Sequence, residues 1–236
     1  MFSNLDIKSH IEAEDSCIGF RVVEDQQYIS TRPLVDSDEE HDILEAMLED
    51  SKPPNPTNDE MSNASRVDYL LSTPFRYPPL KEATRFGKVT ERSLFYGCHD
   101  MNGAFAEVAH YRFRFFDDTT ANIPTIIVNY TSFKFYAGSQ YCIDLTHSYF
   151  DKYQPVLMDK NNYQYSQEMR RILRHENVEM FYFNSVRSEG SKNIAIFVPS
   201  VFTKRTDNHK SWQCVSNDNY IEFYQGRKLK HKFGRG

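Results

Sequence analysis

A run of three prolines at residues 51–58 divides this chain into two unlike parts. The run reads Ser51-Lys52-Pro53-Pro54-Asn55-Pro56-Thr57-Asn58. It stops any helix, because proline lacks a backbone N–H and clashes with the preceding turn. An acidic stretch precedes this connector, whereas apolar and aromatic residues are dense after it. We therefore predict an N-terminal extension over residues 1–65, a core domain over 66–215 and a basic C-terminal tail, expected to be solvated, over 216–236.

The extension carries one helix signal and one strand signal. Ser37 stands three residues before Glu40, which is the spacing of a capping box, and this predicts an acidic helix over residues 37–50. The apolar stripe of this helix consists of Ile43, Leu44, Met47 and Leu48. A second segment, Cys17–Val23, is rich in β-branched and aromatic residues and predicts a strand.

Short apolar runs in the core predict strands, and apolar residues three or four apart predict helices. The predicted strands cover residues 93–96, 112–116, 125–136, 178–183 and 192–198. The predicted helices cover residues 101–111 and 161–176. Gly138 is expected to end the third of these strands, and Gly190 to turn between the last two. The alternation predicts an α+β fold with a mixed or antiparallel sheet core and flanking helices.

The charge balance argues against a broadly basic nucleic-acid binder. The chain has 28 Lys and Arg against 33 Asp and Glu, so we expect no direct nucleic-acid partner. No run approaches the roughly 18 apolar residues of a membrane span, and the first residues lack an apolar signal run. We therefore expect a cytoplasmic protein without membrane contact. The scattered cysteines, expected to be reduced and mostly buried, are Cys17, Cys98, Cys142 and Cys214.

The histidines do not predict a metal site. None of the eight stands in His-Glu-x-x-His spacing or beside a Cys doublet, although His99, His110 and His147 could meet in space. We expect no bound metal. The chain also lacks Gly-x-Gly-x-x-Gly and a Walker lysine loop, which disfavours a doubly wound dinucleotide-binding fold.

Five short clusters stand out in the core. They are Phe75-Arg76-Tyr77-Pro78-Pro79, Thr84-Arg85-Phe86-Gly87, Phe95-Tyr96-Gly97, Ala104-Phe105-Ala106-Glu107 and Asn184-Ser185-Val186-Arg187. In this order and spacing they resemble the RES domain, a bacterial toxin family named for its Arg, Glu and Ser. The resemblance begins at Phe20-Arg21-Val22-Val23-Glu24, in an extension similar to that of longer members, and continues through Trp212.

The resemblance implies an ADP-ribosyltransferase-like fold that binds NAD, in a toxin commonly paired with an Xre-type antitoxin. Because the dinucleotide fingerprint is missing, NAD is expected as a consumed substrate and not as a resident cofactor. A homodimer is left open. Two positions depart from the pattern: Gly103 stands where the family often has Thr, and Asn184 stands where it often has Pro.

Arginines are the expected anion-binding residues of this site. The pyrophosphate of NAD carries two negative charges, and planar, always protonated guanidinium groups bind such groups bidentately. Arg76 and Arg85 are assigned this role, and Arg187 is an accessory candidate. Tyr96 and Tyr77 are candidates for stacking on a nicotinamide or adenine ring.

Glu107, Arg76 and Ser185 are the expected catalytic residues. Departure of nicotinamide leaves a ribose with oxocarbenium character, which a nearby carboxylate stabilises. On a helical wheel Glu107 falls beside Ala104 at the edge of the apolar face. Ser185 follows a predicted strand and is expected to bond the substrate or Glu107. A nucleophilic role is disfavoured, because no Gly-x-Ser-x-Gly elbow surrounds it.

The sequence thus predicts an enzyme that cleaves the nicotinamide N-glycosidic bond of NAD. Water, phosphate or a protein side chain could accept the ADP-ribosyl group, which would make it a glycohydrolase, a phosphorylase or an ADP-ribosyltransferase. Two other classes stay open. One is an RNA-cleaving toxin, and the other is a catalytically weak RES-like module that binds a partner.

Overall fold

The computed structural model describes residues 1–2, 5–25, 31–53, 61–64, 68–78, 83–121 and 123–235. The proline-rich connector from residue 54 onward and the expected boundary at residues 65 and 66 lie outside these ranges. Among the described residues, no helix has both the length and the apolar character that a membrane span requires.

Helices and strands are interspersed up to residue 175, and five strands follow. The α-helices wholly within the described ranges are α1 (Asp38–Asp50), α2 (Tyr69–Ser72), α3 (Met101–Asp117), α4 (Gln154–Leu157) and α5 (Gln164–His175). The strands are β1 (Glu12–Glu24), β2 (Phe95–Cys98), β3 (Ile126–Asp144), β4 (Met180–Asn184), β5 (Lys192–Ile196), β6 (Phe202–Ser216), β7 (Tyr220–Gln225) and β8 (Lys228–Gly234).

These strands form one sheet in the order β1-β2-β5-β4-β3-β6-β7-β8, and β1 also pairs with β3. Because of this second pairing, β1, β2, β5, β4 and β3 follow one another around a closed ring. The β3–β4 pairing is parallel, whereas β1 pairs with both of its neighbours antiparallel. The sheet is therefore mixed, and the predicted α+β class is confirmed.

Strand β1 belongs to the sheet although it comes from the expected extension. It pairs with β3 from Glu12 to Glu24, and its Phe20 also faces Cys98 of β2. The predicted strand at Cys17–Val23 is therefore confirmed and is longer than expected. Structurally, the extension supplies one wall of the core.

The helix signal of the extension is also confirmed. The side chain of Ser37 accepts a hydrogen bond from the backbone N–H of Glu40 at 3.1 Å, and the Glu40 carboxylate accepts one from the N–H of Asp36 at 2.9 Å. These bonds satisfy N–H groups at the helix start. The apolar stripe is not buried, since Ile43 and Met47 are both more than half exposed.

Two predicted boundaries in the core are wrong. Residues 112–116 continue helix α3 and do not form a strand. No proline or glycine interrupts them, and Phe105, Ala109 and Phe116 are buried at helical spacing. Strand β3 runs past Gly138, where a Cβ would lie 2.5 Å from the carbonyl oxygen of Asp15. This glycine permits close approach of β1 and does not end the strand.

The basic C-terminal segment forms an antiparallel hairpin from β7 and β8, with Gly226 at a φ of 58° in the turn. The segment therefore extends the sheet and is not a loose tail. Its basic side chains from Arg227 to Lys230 are exposed, as expected.

An aromatic cluster fixes helix α3 against this end of the sheet. The buried ring of Phe105 lies with its centroid 4.7 Å from that of Trp212 and 4.6 Å from that of Phe223. Truncation of such a fully buried phenylalanine costs about 3–5 kcal/mol. Because β6 and β7 hold this face of α3, the opposite face is fixed toward β1, β2 and β5.

Candidate active site

A cavity of about 250 Å³ lies between helix α3 and the ring of strands. Strands β1, β2 and β5 contribute to its wall, together with the loops around residues 84 and 186. The described lining residues are Phe20, Arg21, Val22, Thr84, Arg85, Tyr96, Gly97, Cys98, Ala104, Glu107, Val108, His110, Tyr111, Tyr163, Phe183, Val186, Arg187 and Asn193. Glu107 is the single carboxylate in this set, which also contains three arginines.

Glu107 is held in the cavity by two neutral donors. Its Oε1 accepts hydrogen bonds from Ser185 Oγ at 3.2 Å and from Asn193 Nδ2 at 2.8 Å. Ser185 directly follows β4, and Asn193 lies on the adjacent strand β5. Since both bonds fall on Oε1 and no described residue donates to Oε2, the second oxygen is left for a ligand.

Ser185 is a buried orienting group. While its hydroxyl donates to Glu107, its oxygen accepts the backbone N–H groups of Arg187 and Ser188, each at 3.1 Å. A hydroxyl has one proton and two lone pairs, so all of them are engaged. The arrangement provides the predicted bond to Glu107 and disfavours nucleophilic attack by this oxygen.

Arg85 lines the cavity and joins the last residue of helix α4 to the last residue of strand β4. Its Nε donates to the carbonyl oxygen of Leu157 at 2.9 Å, and its Nη1 donates to that of Asn184 at 2.9 Å. Burial lowers the pKa of Arg85 to about 10, and the nearby Glu107 charge opposes this effect. Arg85 therefore remains a cation at neutral pH, and much of its donor capacity is already used by the protein.

Tyr96 and Arg187 also lie in the cavity wall. The Tyr96 hydroxyl lies 3.2 Å from Thr84 Oγ1, and burial raises its pKa to about 12. The Arg187 Nη2 lies 3.5 Å from the Tyr163 hydroxyl. The structure therefore brings together five of the predicted site residues: Arg85, Tyr96, Glu107, Ser185 and Arg187.

Arg76 and Tyr77 are placed elsewhere. Arg76 follows a short 3-10 turn, and its Nη1 donates to the carboxylate of Glu49 on α1 at 2.7 Å. Its Nε donates to the carbonyl oxygen of Pro53, and its guanidinium carbon lies 5.9 Å from the centroid of the Tyr77 ring. Neither residue is among the described lining residues of the cavity.

The departure at Gly103 has a packing cause. A Cβ at this position would lie 2.3 Å from Cys98 Sγ and 3.0 Å from Ser191 Oγ. Any larger residue would therefore force Cys98 or the helix to move. All four cysteines are buried free thiols, as predicted.

Sequence reasoning missed one polar group of the cavity, Asn193. Asn193 lies 86 residues from the carboxylate that it bonds. Its Oδ1 is buried without a hydrogen-bond partner. The only signal in the sequence is a polar residue within an otherwise apolar strand, Lys192-Asn193-Ile194-Ala195-Ile196, since a buried amide requires partners. For the histidines, no metal-holding group assembles in the described ranges.

The fold and cavity define a class: an α+β domain with one carboxylate fixed among arginines in a cleft. The RES domain family model matches residues 62–216, which is more than half of the chain. The chain belongs to the RES domain family. RES domains are toxin-associated and NAD-related, and they typically occur in toxin–antitoxin systems. None of the curated proteins compared with this chain matches it.

Proposed function

We propose that this RES domain consumes NAD by cleaving the nicotinamide N-glycosidic bond. The observation that carries the proposal is the Glu107 carboxylate, fixed on one oxygen by Ser185 and Asn193 inside a cavity of opposite charge. A fixed carboxylate needs little reorganisation as charge develops, so it stabilises a transition state more than it stabilises a ground state.

In this mechanism Glu107 Oε2 faces the nicotinamide ribose. As the bond from C1 to the nicotinamide nitrogen lengthens, positive charge grows on the ribose and is stabilised by the carboxylate. The bond electrons leave with the neutral nicotinamide. Ser185 and Asn193 keep the carboxylate in place, and Tyr96 supplies a flat wall for a ring.

The cavity volume favours partial enclosure of the dinucleotide. About 250 Å³ is slightly below the range of small-molecule sites, roughly 300–1,000 Å³. We therefore place the nicotinamide and its ribose inside, with the adenosine half toward the open side. Arg85 and Arg187 border the cavity and attract the negative charges of the substrate. Arg76 and Tyr77 are not included in this site, because Arg76 is bonded to Glu49.

The proposal also includes the acceptor of the ADP-ribosyl group, the protein partner and the cellular location. Water, phosphate or a protein side chain would give glycohydrolase, phosphorylase or ADP-ribosyltransferase activity. An Xre-type antitoxin is the expected partner, on the ground that RES domains typically occur in toxin–antitoxin systems. The buried free thiols are compatible with a reducing compartment such as the cytoplasm.

The decisive experiment measures nicotinamide release from NAD by the purified protein, with and without phosphate and cell lysate. Product masses identify the acceptor. Glu107→Gln keeps the shape and removes the charge, and we expect release to fall by about 10²–10³-fold. Glu39→Gln makes the same charge change on the exposed face of α1 and should retain parental activity. No release under any condition would overturn the proposed function.

A further inference from the structure

A second cavity, of about 260 Å³, lies between helix α5 and the segment that precedes strand β2. Four of its eight described lining residues are arginines, and one is a carboxylate, Glu91. We call it the arginine pocket, and its cations and apolar floor are Arg92, Arg170, Arg171, Arg174, Leu94 and Phe197. This surplus of positive charge stands in a chain that has 28 Lys and Arg against 33 Asp and Glu.

The arginine pocket is separate from the candidate active site. Strands β2 and β5 pair antiparallel with Cys98 opposite Asn193, and both of these residues line the candidate active site. Leu94 directly precedes β2 and Phe197 directly follows β5, so they lie at the other end of this pairing. Four residues of strand at about 3.3 Å each separate the two ends by about 13 Å. No described residue lines both cavities.

The wall of the arginine pocket is fixed by a buried arginine. Arg170, Arg171 and Arg174 are three or four residues apart or adjacent, so they share one side of α5. The buried Arg170 donates from Nη1 to the Glu91 carboxylate and from Nη2 to the carbonyl oxygen of Arg92 at 2.6 Å. These bonds join the helix to the segment before β2, and the pocket is therefore formed without a ligand.

The charges around the pocket are unbalanced. Glu91, the only carboxylate among its described lining residues, pairs with Arg170. Arg171 is exposed, and no described residue forms an ion pair with it. Arg174 is exposed as well, and its guanidinium carbon lies 5.5 Å from the centroid of the Phe197 ring in the floor. A concave surface with four positive charges and one negative charge attracts an anion that carries more than one charge.

The surroundings of the pocket favour a compact anion. Arg92 Nε donates to the carbonyl oxygen of Phe75 at 2.8 Å, and the next residue, Arg76, pairs with Glu49 of helix α1. The sequence of this helix, DEEHDILEAMLED, is strongly acidic. A long polyanion such as nucleic acid would be repelled where it left the pocket toward α1. A small ligand would not reach that helix.

We propose that the arginine pocket binds a compact phosphate polyanion and recognises its diphosphate group. Planar guanidinium groups bind phosphate oxygens bidentately. Arg171 and Arg174 contact these oxygens, while Arg170 and Glu91 hold the wall. Inorganic pyrophosphate and a nucleoside diphosphate share this chemistry. The site goes beyond the proposed function and does not depend on it.

Isothermal titration calorimetry of the full chain tests the site, with inorganic pyrophosphate, ADP and adenosine as probes. An ionic strength of about 0.15 M screens exposed charges that are more than about 8 Å apart. We expect Arg171→Gln/Arg174→Gln to weaken binding of at least one diphosphate probe by about 10- to 100-fold. Adenosine, which lacks phosphate, should bind the parental protein and the variant alike. Whichever diphosphate probe binds more tightly through these arginines identifies the source.

The matched control is Arg227→Gln/Lys228→Gln, which removes two charges at the exposed β7–β8 turn. It should retain the parental affinities. Arg171→Lys/Arg174→Lys keeps the charges without the planar groups, and we expect it to recover part of the affinity. The proposal is wrong if the glutamine variant of the pocket binds both diphosphate probes as tightly as the parental protein, or if the control loses as much affinity. Parental Kd values above about 1 mM for both probes would also overturn it.

A further variant separates the arginine pocket from the candidate active site. Arg187→Gln removes a cation that lines the active-site cavity and should leave pyrophosphate binding in the pocket intact. If Arg187→Gln abolished this binding and the pocket variant did not, the anion would bind in the active-site cavity and the inference would be wrong. Because Arg171 and Arg174 are exposed, we expect both of their replacements to fold. Should the double variant not fold, Arg171→Gln alone carries the comparison.

Discussion

Arginines have different bonding partners in the cavity and at the contact between Arg76 and helix α1. In the cavity, Arg85 donates to carbonyl oxygens 72 and 99 residues away. At the other contact, Arg76 pairs with Glu49, whose side chain is 55% exposed. Arg85 joins the ends of α4 and β4 beside the proposed catalytic carboxylate, whereas Arg76 contacts helix α1. Two motifs that look alike in the sequence thus have different physical roles.

The role of an arginine therefore depends on the partners to which it already donates, and not on its residue type alone. Arg85 donates from all three guanidinium nitrogens to backbone carbonyl oxygens, whereas Arg76 donates to the Glu49 carboxylate and to the carbonyl oxygen of Pro53. The following substitutions test this comparison, from the largest expected effect to the smallest.

Removing Arg85 should have the largest effect on stability. Arg85→Met leaves the carbonyl oxygens of Asn184 and Leu157, at the ends of β4 and α4, without their charged donor. Hydrogen bonds to a charged group contribute about 1.5–3 kcal/mol each, so we expect unfolding to become easier by about 2–4 kcal/mol. Denaturant unfolding measures this loss. A change below about 1 kcal/mol would mean that the cavity arginine resembles a surface pair.

Asn193→Ala should reduce activity more than stability. The variant removes one of the two donors that hold Glu107 Oε1, and a single hydrogen bond to a charged group corresponds to about tenfold in rate. We expect kcat for nicotinamide release to fall by about that factor with little change in KM. Asn193→Ser, which can still donate, should recover part of the rate. Parental kcat in the alanine variant would exclude a positioning role.

Arg76→Met should have a small effect on both properties. In the Arg76–Glu49 pair the Glu49 side chain is 55% exposed and the Arg76 side chain 13% exposed, and a pair that solvent reaches from one side contributes about 0–1 kcal/mol. We expect unfolding to change by no more than this and nicotinamide release to stay near the parental rate. Loss of release in a folded Arg76→Met protein would contradict the comparison and extend the active site toward α1.

The smallest expected effect is on the pH dependence of stability in acid. Burial, and secondarily the Arg187 charge, lower the pKa of His110 in the cavity to about 4, whereas an unfolded histidine titrates near 6.5. Between these values the unfolded chain binds more protons, so stability falls as the pH falls through this window. We expect His110→Gln to flatten the Tm profile between about pH 4 and 6.5. An unchanged slope would show that other groups control acid unfolding.

Local sequence rules predicted the elements that depend on neighbouring residues. The Ser37–Glu40 capping box and the predicted helix over residues 161–176, observed as α5, were correct, because their contacts lie within one or two helical turns. The rules failed at residues 112–116, where both the alternation of a strand and the periodicity of a helix fit a short aromatic run. They also failed at Gly138, where the close approach of Asp15 across the sheet decides the conformation.

The sequence by itself determined the family resemblance, the α+β class and five residues that meet at the cavity. Only the tertiary structure decided that Asn193 and Ser185 fix Glu107 and that Arg76 pairs with Glu49. The physical reason is distance along the chain. Bonds across 78 and 86 residues depend on how β1, β4 and β5 pair, and strand register decides which side chains face α3.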